Sequence, residues 1–480
     1  MTDQTAIPTL DDAQERTDPY AHTLLGKFDR RFLSKKIARP IVGVVLLIIL
    51  IVPSIQFVHT IQKIDDSPFR TGGIRHRTAL GRWLPSAEAL ADYPKGDNPY
   101  GYGHWFPTPP MVLICLIPLA KIGFVGAGIV WSILKLLGLF GSICLLLREY
   151  DRQARPIPTG VLIVAALFSI RPIISDIQHG NLNIFMMIWL TLAWTYYLRK
   201  ADIAAGLFLA AAIVTKITPA LALVYFLYKK NWKLCAAALV CLAVFVLLIP
   251  GLMLGFENNT VLLRTWFDML VRPFAIDGYA TLELPNQSLY GVILRLMDNT
   301  DFIAIQHMPA EEMINVGMEE MARPKSRAWR LLRTAISLVV VAVLAWSCRR
   351  KHSDRSDPIR LLEFSAVLIA MLLLSERTWK HHATTLPLVY LALWYAVACL
   401  PWTDKFRAAL VAGLGAQLVL LSLLGEGFVG DDLADKILDG GFFCWGLLLC
   451  LVQIVIILRR FRNPLQPTEL SPSPPPKPAI

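Results

Sequence analysis

The chain has 480 residues, 55% of them hydrophobic and 17% charged, with a mean hydropathy of +0.51. Soluble domains carry roughly 25% charged residues, so a soluble globule is excluded. Continuous apolar runs also exclude a β-barrel, whose strands alternate over about ten residues. The net charge of +11 fits loops held on the cytoplasmic side of a membrane better than a nucleic-acid surface.

Residues 1–39 are polar and basic, longer than the n-region of a cleaved signal, so the first apolar run reads as an uncleaved anchor. Twelve spans follow, at 40–58, 124–147, 158–170, 184–198, 203–215, 217–228, 234–252, 329–347, 359–374, 385–400, 407–424 and 441–458. Basic residues decide their direction. Lys27 to Arg39 place the N-terminus inside, and the segments Arg148–Arg155, Arg199–Lys200, Lys229–Lys233, Arg349–Arg360, Lys405–Arg407 and Arg459–Arg462 then all fall inside. The apolar stretch Met111–Ala120 would upset this alternation as a span. At about ten residues after a proline cluster, it reads as a re-entrant or interfacial helix. Lys216-Ile217-Thr218-Pro219 joins two short helices at a proline and turns Lys216 toward a cavity. The expectation is an all-α polytopic membrane protein: a cytoplasmic segment 1–39, a membrane domain 40–460, and a disordered, Ser/Pro-rich cytoplasmic tail 461–480. The eight cysteines lie in apolar runs or at a helix end without metal-ligand spacing, and packing is their expected role.

External loops at 59–123, 171–183, 253–328 and 375–384 carry the chemistry; a fifth, 425–440, is given no role. The first opens with Asp65-Asp66, where a carboxylate suits a general base that deprotonates an acceptor hydroxyl. Its arginines Arg75, Arg77 and Arg82 suit bidentate contacts to a phosphate; a merely solvated loop is the bland alternative. The second packs Asp176, Gln178, His179, Asn181 and Asn183 into eight residues at the mouth of a span. Amides and an imidazole can hold sugar hydroxyls or a phosphate. Asn181 or Asn183 would also serve as a helix N-cap, and one Asp with one His is too few ligands for a metal. The third loop holds Glu283 and Asn286-Gln287-Ser288, then a short amphipathic helix over 309–321. It contains formal glycosylation acceptors at Asn258 and Asn286, patterns that recur by chance.

The fourth loop reads Glu376-Arg377-Thr378-Trp379-Lys380-His381-His382, between two apolar runs. Ionisable groups at such a boundary face water, a partner or a substrate. Either histidine can relay a proton or steady a phosphate leaving group. Lys380 and Lys216 can neutralise that phosphate, and Trp379 can stack on a sugar or belong to the interfacial aromatic belt.

Four signatures occur in order: Asp97-Asn98-Pro99-Tyr100 with a Pro-Pro-Met helix, His179-Gly180-Asn181-Leu182-Asn183, Thr215-Lys216-Ile217-Thr218-Pro219, and Trp379-Lys380-His381-His382. Over roughly residues 40–400 the chain thereby resembles glycosyltransferase family 87, which includes bacterial polyprenol-phosphate-mannose-dependent α-mannosyltransferases. The resemblance implies a GT-C fold with about twelve transmembrane helices and further helices in the external loops. It implies an inverting transfer of a mannose-like hexose from a polyprenyl-phosphate sugar to a glycolipid or glycan hydroxyl, at the external face of a bacterial cytoplasmic membrane. It assigns the late histidine to His381 or His382 and the base to Asp65 or Asp66, the aspartate by position only. No cofactor is implied, since the lipid-linked sugar is a substrate; divalent-metal dependence stays open. The partners expected are donor, acceptor and membrane lipids, with no nucleic acid. A secondary transporter is the rival class, but it predicts matching halves and charges along span centres. Another lipid-linked glycan ligase shares the chemistry and differs in acceptor.

Overall fold

The computed structural model describes residues 20, 23–32, 35–65, 78–100, 106–153, 155–277, 279–297, 302–306, 322–324, 326–350 and 354–461. Every one of the twelve apolar runs is a helix, the conformation that satisfies backbone polar groups within the segment where no water reaches them. A short helix α1 (Leu24–Phe32) precedes α2 (Lys35–Asp65). The first loop contributes α3 (Ala79–Asp92) and α4 (Pro110–Ala120). Then come α5 (Gly123–Arg152), α6 (Thr159–His179), α7 (Asn183–Leu198), α8 (Asp202–Thr215), α9 (Ala220–Tyr228) and α10 (Trp232–Leu254). The third loop holds α11 (Phe256–Trp266), α12 (Leu289–Met297) and two three-residue strands, β1 (Tyr279–Thr281) and β2 (Ala322–Pro324), paired antiparallel. The chain closes with α13 (Arg327–Ser347), α14 (Pro358–Leu373), α15 (Leu386–Cys399), α16 (Asp404–Leu423), α17 (Asp431–Asp439) and α18 (Phe442–Arg460). The helix expected over 309–321 lies outside the described residues.

Seven of the twelve, α2, α5, α6, α10, α13, α16 and α18, are long and apolar enough to cross a membrane. The other five are shorter. At 1.5 Å per residue the 16 residues of α14 reach about 24 Å, against a hydrocarbon core of about 30 Å. Protein replaces lipid around it: all of α14 is buried, as are most of α7 and α15. A helix enclosed by other helices has no hydrophobic thickness to match. The main core is built from these helices, with Trp194 stacked on Phe364 at 4.6 Å.

Polar contacts gather the helix ends into two layers. In one, Arg39 pairs with Asp151 (2.6 Å), Arg199 with Glu149 (2.9 Å), Lys229 with Glu363 (2.8 Å) and Arg355 with Asp202 (3.2 Å), while Arg350 donates to the Phe461 carbonyl (2.7 Å). These are the basic segments that the sequence puts on one side. The opposite ends of the same helices meet in the second layer, through Asp176, Asn183, Asn286, Glu376, Thr384 and Leu438.

The short helices of the first loop roof this second layer. Thr78 caps α3 by accepting from the Gly81 amide (3.2 Å), and α4 opens with proline at its first position, where no amide donor is needed. Both pack on Phe57 and Ile61 of α2, Trp131 of α5 and Leu182. Asn98 donates to Thr265 (3.3 Å), and Trp266 to the Pro107 carbonyl (3.3 Å), tying the first loop to the third.

Candidate active site

The site grows from two chain breaks. Helix α6 ends at Gly180, in the left-handed conformation (φ 62°), with its amide on the Asp176 and Ile177 carbonyls. Phe57 lies against it so closely that a Cβ there would come within 2.3 Å of the ring. The Gly180 carbonyl accepts from the Trp131 indole (3.1 Å). This fixes His179, whose Nδ1 lies 2.7 Å from the Ser175 carbonyl. A carbonyl only accepts, so Nδ1 carries the proton and Nε2 is bare in the neutral ring. The second break is Lys216, between α8 and α9.

The segment 375–384 crosses both. His381 stacks on His179 (ring centroids 4.6 Å, 23°) and meets His382 edge-on (4.7 Å); Trp379 is edge-on to His381 (5.3 Å). His382 Nδ1 sits between the Arg377 carbonyl (3.1 Å) and the Trp379 amide (3.2 Å), so its tautomer decides which it serves. The segment is clamped by buried Asn286-Gln287-Ser288. Asn286 donates to the Glu376 carbonyl (3.1 Å) and accepts from the Thr378 amide (2.9 Å); Gln287 donates from its backbone to the Thr378 carbonyl (2.6 Å). Glu283 takes the Trp379 indole (3.0 Å) and pairs with Arg377 (2.6 Å).

Burial and mutual repulsion depress the basic groups here. His381 is held well below the usual imidazole range, first by burial, then by His179, Lys216, Lys135 and Arg82. His382 is pushed down by burial and Lys216. Burial draws Lys216 to about 7 despite the opposing field of Asp176 and Glu376. Arg82 is lowered by burial and by Arg377, and its buried Nε has no hydrogen-bond partner among the described residues. Glu376 is raised by burial to about 7. Apart from Glu283 on Arg377 and the carboxyl groups of Asp176 and Glu376 near Lys216, the groups that face one another are cations and imidazoles, an arrangement that an incoming anion relieves.

A family model for glycosyltransferase family 87 matches residues 106–375, more than half of the chain, a range that includes the turn at 175–183, Lys216 and the 283–288 clamp but stops short of Glu376 to Thr384. The chain belongs to glycosyltransferase family 87. Two curated relatives extend the likeness. Both are named polyprenol-phosphate-mannose-dependent α-(1-2)-phosphatidylinositol mannoside mannosyltransferase. The Mycobacterium tuberculosis protein is 26% identical over 389 residues, 77% of this chain and 76% of the relative. That of Mycolicibacterium smegmatis is 24% identical over 417 residues, 82% of this chain and 84% of the relative.

As a family 87 glycosyltransferase, the protein brings together His179, Asn183, Lys216, Trp379, His381, His382 and Arg82, all expected from its sequence. Others fall elsewhere. Asp176 is wholly buried beneath the site, its carboxylate taken by Lys135 and Asn183. Asn183 is no N-cap: Leu182 holds that position, and the Asn183 amide bridges Asp176 and Lys216. Asn181 accepts from the neighbouring Leu182 amide (2.7 Å), and Gln178 turns to Gln56 of α2 (2.9 Å). Lys380 is lowered first by burial, and the charges that act on it are Arg171, Glu426 and Asp435 rather than the histidines. Asp66, Arg75, Arg77 and the Asp65 side chain lie outside the described residues; the backbone of α2 runs to Asp65, eight residues or about 12 Å beyond Phe57. Among the described residues no group of three His, Cys, Asp or Glu side chains is placed to hold a metal.

Glu376, Arg377 and Glu283 stood in the loops that the sequence singled out but were given no role there, and Lys135 was not expected at all. A lysine inside the apolar run of α5 was the available signal for Lys135, and adjacency to Trp379 was the signal for Glu376 and Arg377.

Proposed function

We propose that the protein moves mannose from a polyprenyl-phosphate donor to a hydroxyl of a phosphatidylinositol mannoside-like glycolipid, at the non-cytoplasmic face of a bacterial cytoplasmic membrane, with inversion. The observation that carries this is the gathering of Lys216, Arg82, Arg377 and three imidazoles, His179 stacked on His381 and His382 edge-on to it, at one family 87 site. The names of the two relatives supply donor and acceptor. The basic segments lie in the opposite layer, which by their charge is the cytoplasmic one. A lipid-borne donor needs no nucleotide-binding domain.

In this reading the donor phosphate lies against Lys216, Arg82 and Arg377, with the prenyl chain between helices; Arg75, Arg77 and Lys380 are phosphate-binding candidates on the sequence alone. Asp65 or Asp66 takes the acceptor hydroxyl proton. The acceptor oxygen then forms its bond to the anomeric carbon as the anomeric carbon–phosphate oxygen bond breaks, and the electron pair leaves on the phosphate. Burial depresses His381 and His382 first, and among the cations that add to it Lys216, Arg82 and Arg377 are ones a phosphate neutralises. Donor binding therefore raises the affinity of these imidazoles for a proton, which suits them to steady the leaving phosphate.

The test is transfer of labelled mannose from polyprenyl-phosphate mannose to phosphatidylinositol mannoside in proteoliposomes, for the wild type and alanine variants at Asp65, Asp66, His381 and His382. Full activity in all four variants defeats the site; no transfer by the folded wild type defeats the activity.

A further inference from the structure

Beneath the site, Lys135 of α5 is only 1% exposed and pairs with the wholly buried Asp176 of α6, Nζ lying 2.7 Å from Oδ1 and 3.0 Å from the Asp176 carbonyl oxygen. As a stability device such a pair is poor, since apolar side chains of similar volume often do as well or better. Ionisable groups at membrane depth are costly and mark function. The other carboxylate oxygen, Oδ2, accepts from Asn183 Nδ2 (3.0 Å), and Asn183 Oδ1 accepts from Lys216 Nζ (3.0 Å).

The order of this chain is chemically forced. A carboxylate only accepts and an ammonium only donates. The Asn183 amide must therefore turn its nitrogen to Asp176 and its oxygen to Lys216. Without the carboxylate, the flipped amide would aim N–H at the ammonium. Lys216 stands at the break between α8 and α9, so this acceptor orients its side chain. The charged and titratable groups around it are Asp176 from α6 and Glu376, Arg377, His381 and His382 from the segment before α15. Of these, Asp176 favours the ammonium most.

We propose that Lys135, Asp176 and Asn183 are positioning residues that aim the Lys216 ammonium into the site and keep it charged, so that a lipid phosphate meets a cation already in place. This rests on the transferase reading for its purpose, but it is testable by binding alone. The probe is a short-chain polyprenyl phosphate, with the corresponding prenol as control, titrated calorimetrically against detergent-solubilised full-length protein between pH 6 and 9. Two variants are compared with the wild type: Asn183→Ala, and the charge-neutral pair Lys135→Met with Asp176→Asn.

Losing one charge-assisted hydrogen bond weakens phosphate binding roughly ten- to hundredfold. The alkaline fall in affinity moves to lower pH, because the ammonium loses its supporting charge or acceptor. Adding Lys216→Arg restores binding at high pH, since a guanidinium stays charged. A merely structural role would leave the pH profile in place. Should the paired variant lose its cooperative thermal transition, Asn183→Ala decides alone, because Thr384 still holds the backbone carbonyl at position 183 (2.8 Å). Folded variants that bind with the wild-type affinity and pH profile overturn the proposal, as does a wild type that binds phosphate and prenol equally. Absence of mannose transfer by a wild type that does bind the phosphate would count against the proposed function and not against this brace.

Discussion

Replacing Gly180 by alanine strikes the join between α6 and α7, and its cost can be worked from two separate terms. With φ at 62°, a side chain in the left-handed region costs about 1–2 kcal/mol. The added Cβ would also lie 2.3 Å from Cε2 and 2.7 Å from Cζ of Phe57; forcing atoms into a packed core costs about 1–3 kcal/mol. Together these give about 2–5 kcal/mol. Shrinking the opposing ring with Phe57→Leu removes the second term and leaves the first, so the double variant should recover part of the loss but not all of it. Reversible unfolding of purified protein in mixed micelles, followed by circular dichroism, measures both. A Gly180→Ala variant within 0.5 kcal/mol of the wild type, on the scale of ordinary surface changes, would refute this account of the turn. So would a Phe57→Leu change that gives no rescue.

Other outcomes follow from the same geometry. Lys216, drawn to about 7 by burial, loses its charge as the pH rises through that value, so donor KM should climb above about pH 7. Lys216→Arg should flatten that limb of the profile. Lys216→Met should lower kcat/KM by roughly 10²–10³, the usual cost of removing one preset electrostatic donor. Arg82→Gln should raise donor KM while leaving thermal stability nearly unchanged, since the Arg82 Nε has no hydrogen-bond partner among the described residues. His381→Ala should lower kcat by about 10² or more, the scale of positioned proton transfer, with the helical circular dichroism signal intact.

The helices were legible in the sequence because apolar length is a local property, and Pro219 marks a break that the structure contains. The end of α6 was not, since that run was expected to stop at 170 with a loop over 171–183, and the helix continues through those polar residues to His179. Trp379-Lys380-His381-His382 and His179 were legible as polar groups at the ends of apolar runs. What the sequence hid depends on distant partners. The Lys135–Asp176 bond joins residues 41 apart, and the Arg377–Glu283 pair joins the third loop to the fourth. Asp176 resembled its polar neighbours in composition, yet one face of a helix turns it into the protein while Gln178 turns out toward α2. Helix length misled for a different reason. The span estimate assumed lipid around every helix, whereas α14 is bounded by protein throughout.

The central claim is that Lys216 and the segment from Glu376 to Thr384 surround the phosphate of a lipid donor. Photocrosslinking with a polyprenyl phosphate that carries a diazirine beside its phosphate, followed by peptide mass spectrometry, tests it most directly. The account predicts adducts within residues 213–219 and 376–384, suppressed by excess polyprenyl-phosphate mannose. Adducts confined to the opposite layer, around residues 349–360, would contradict it.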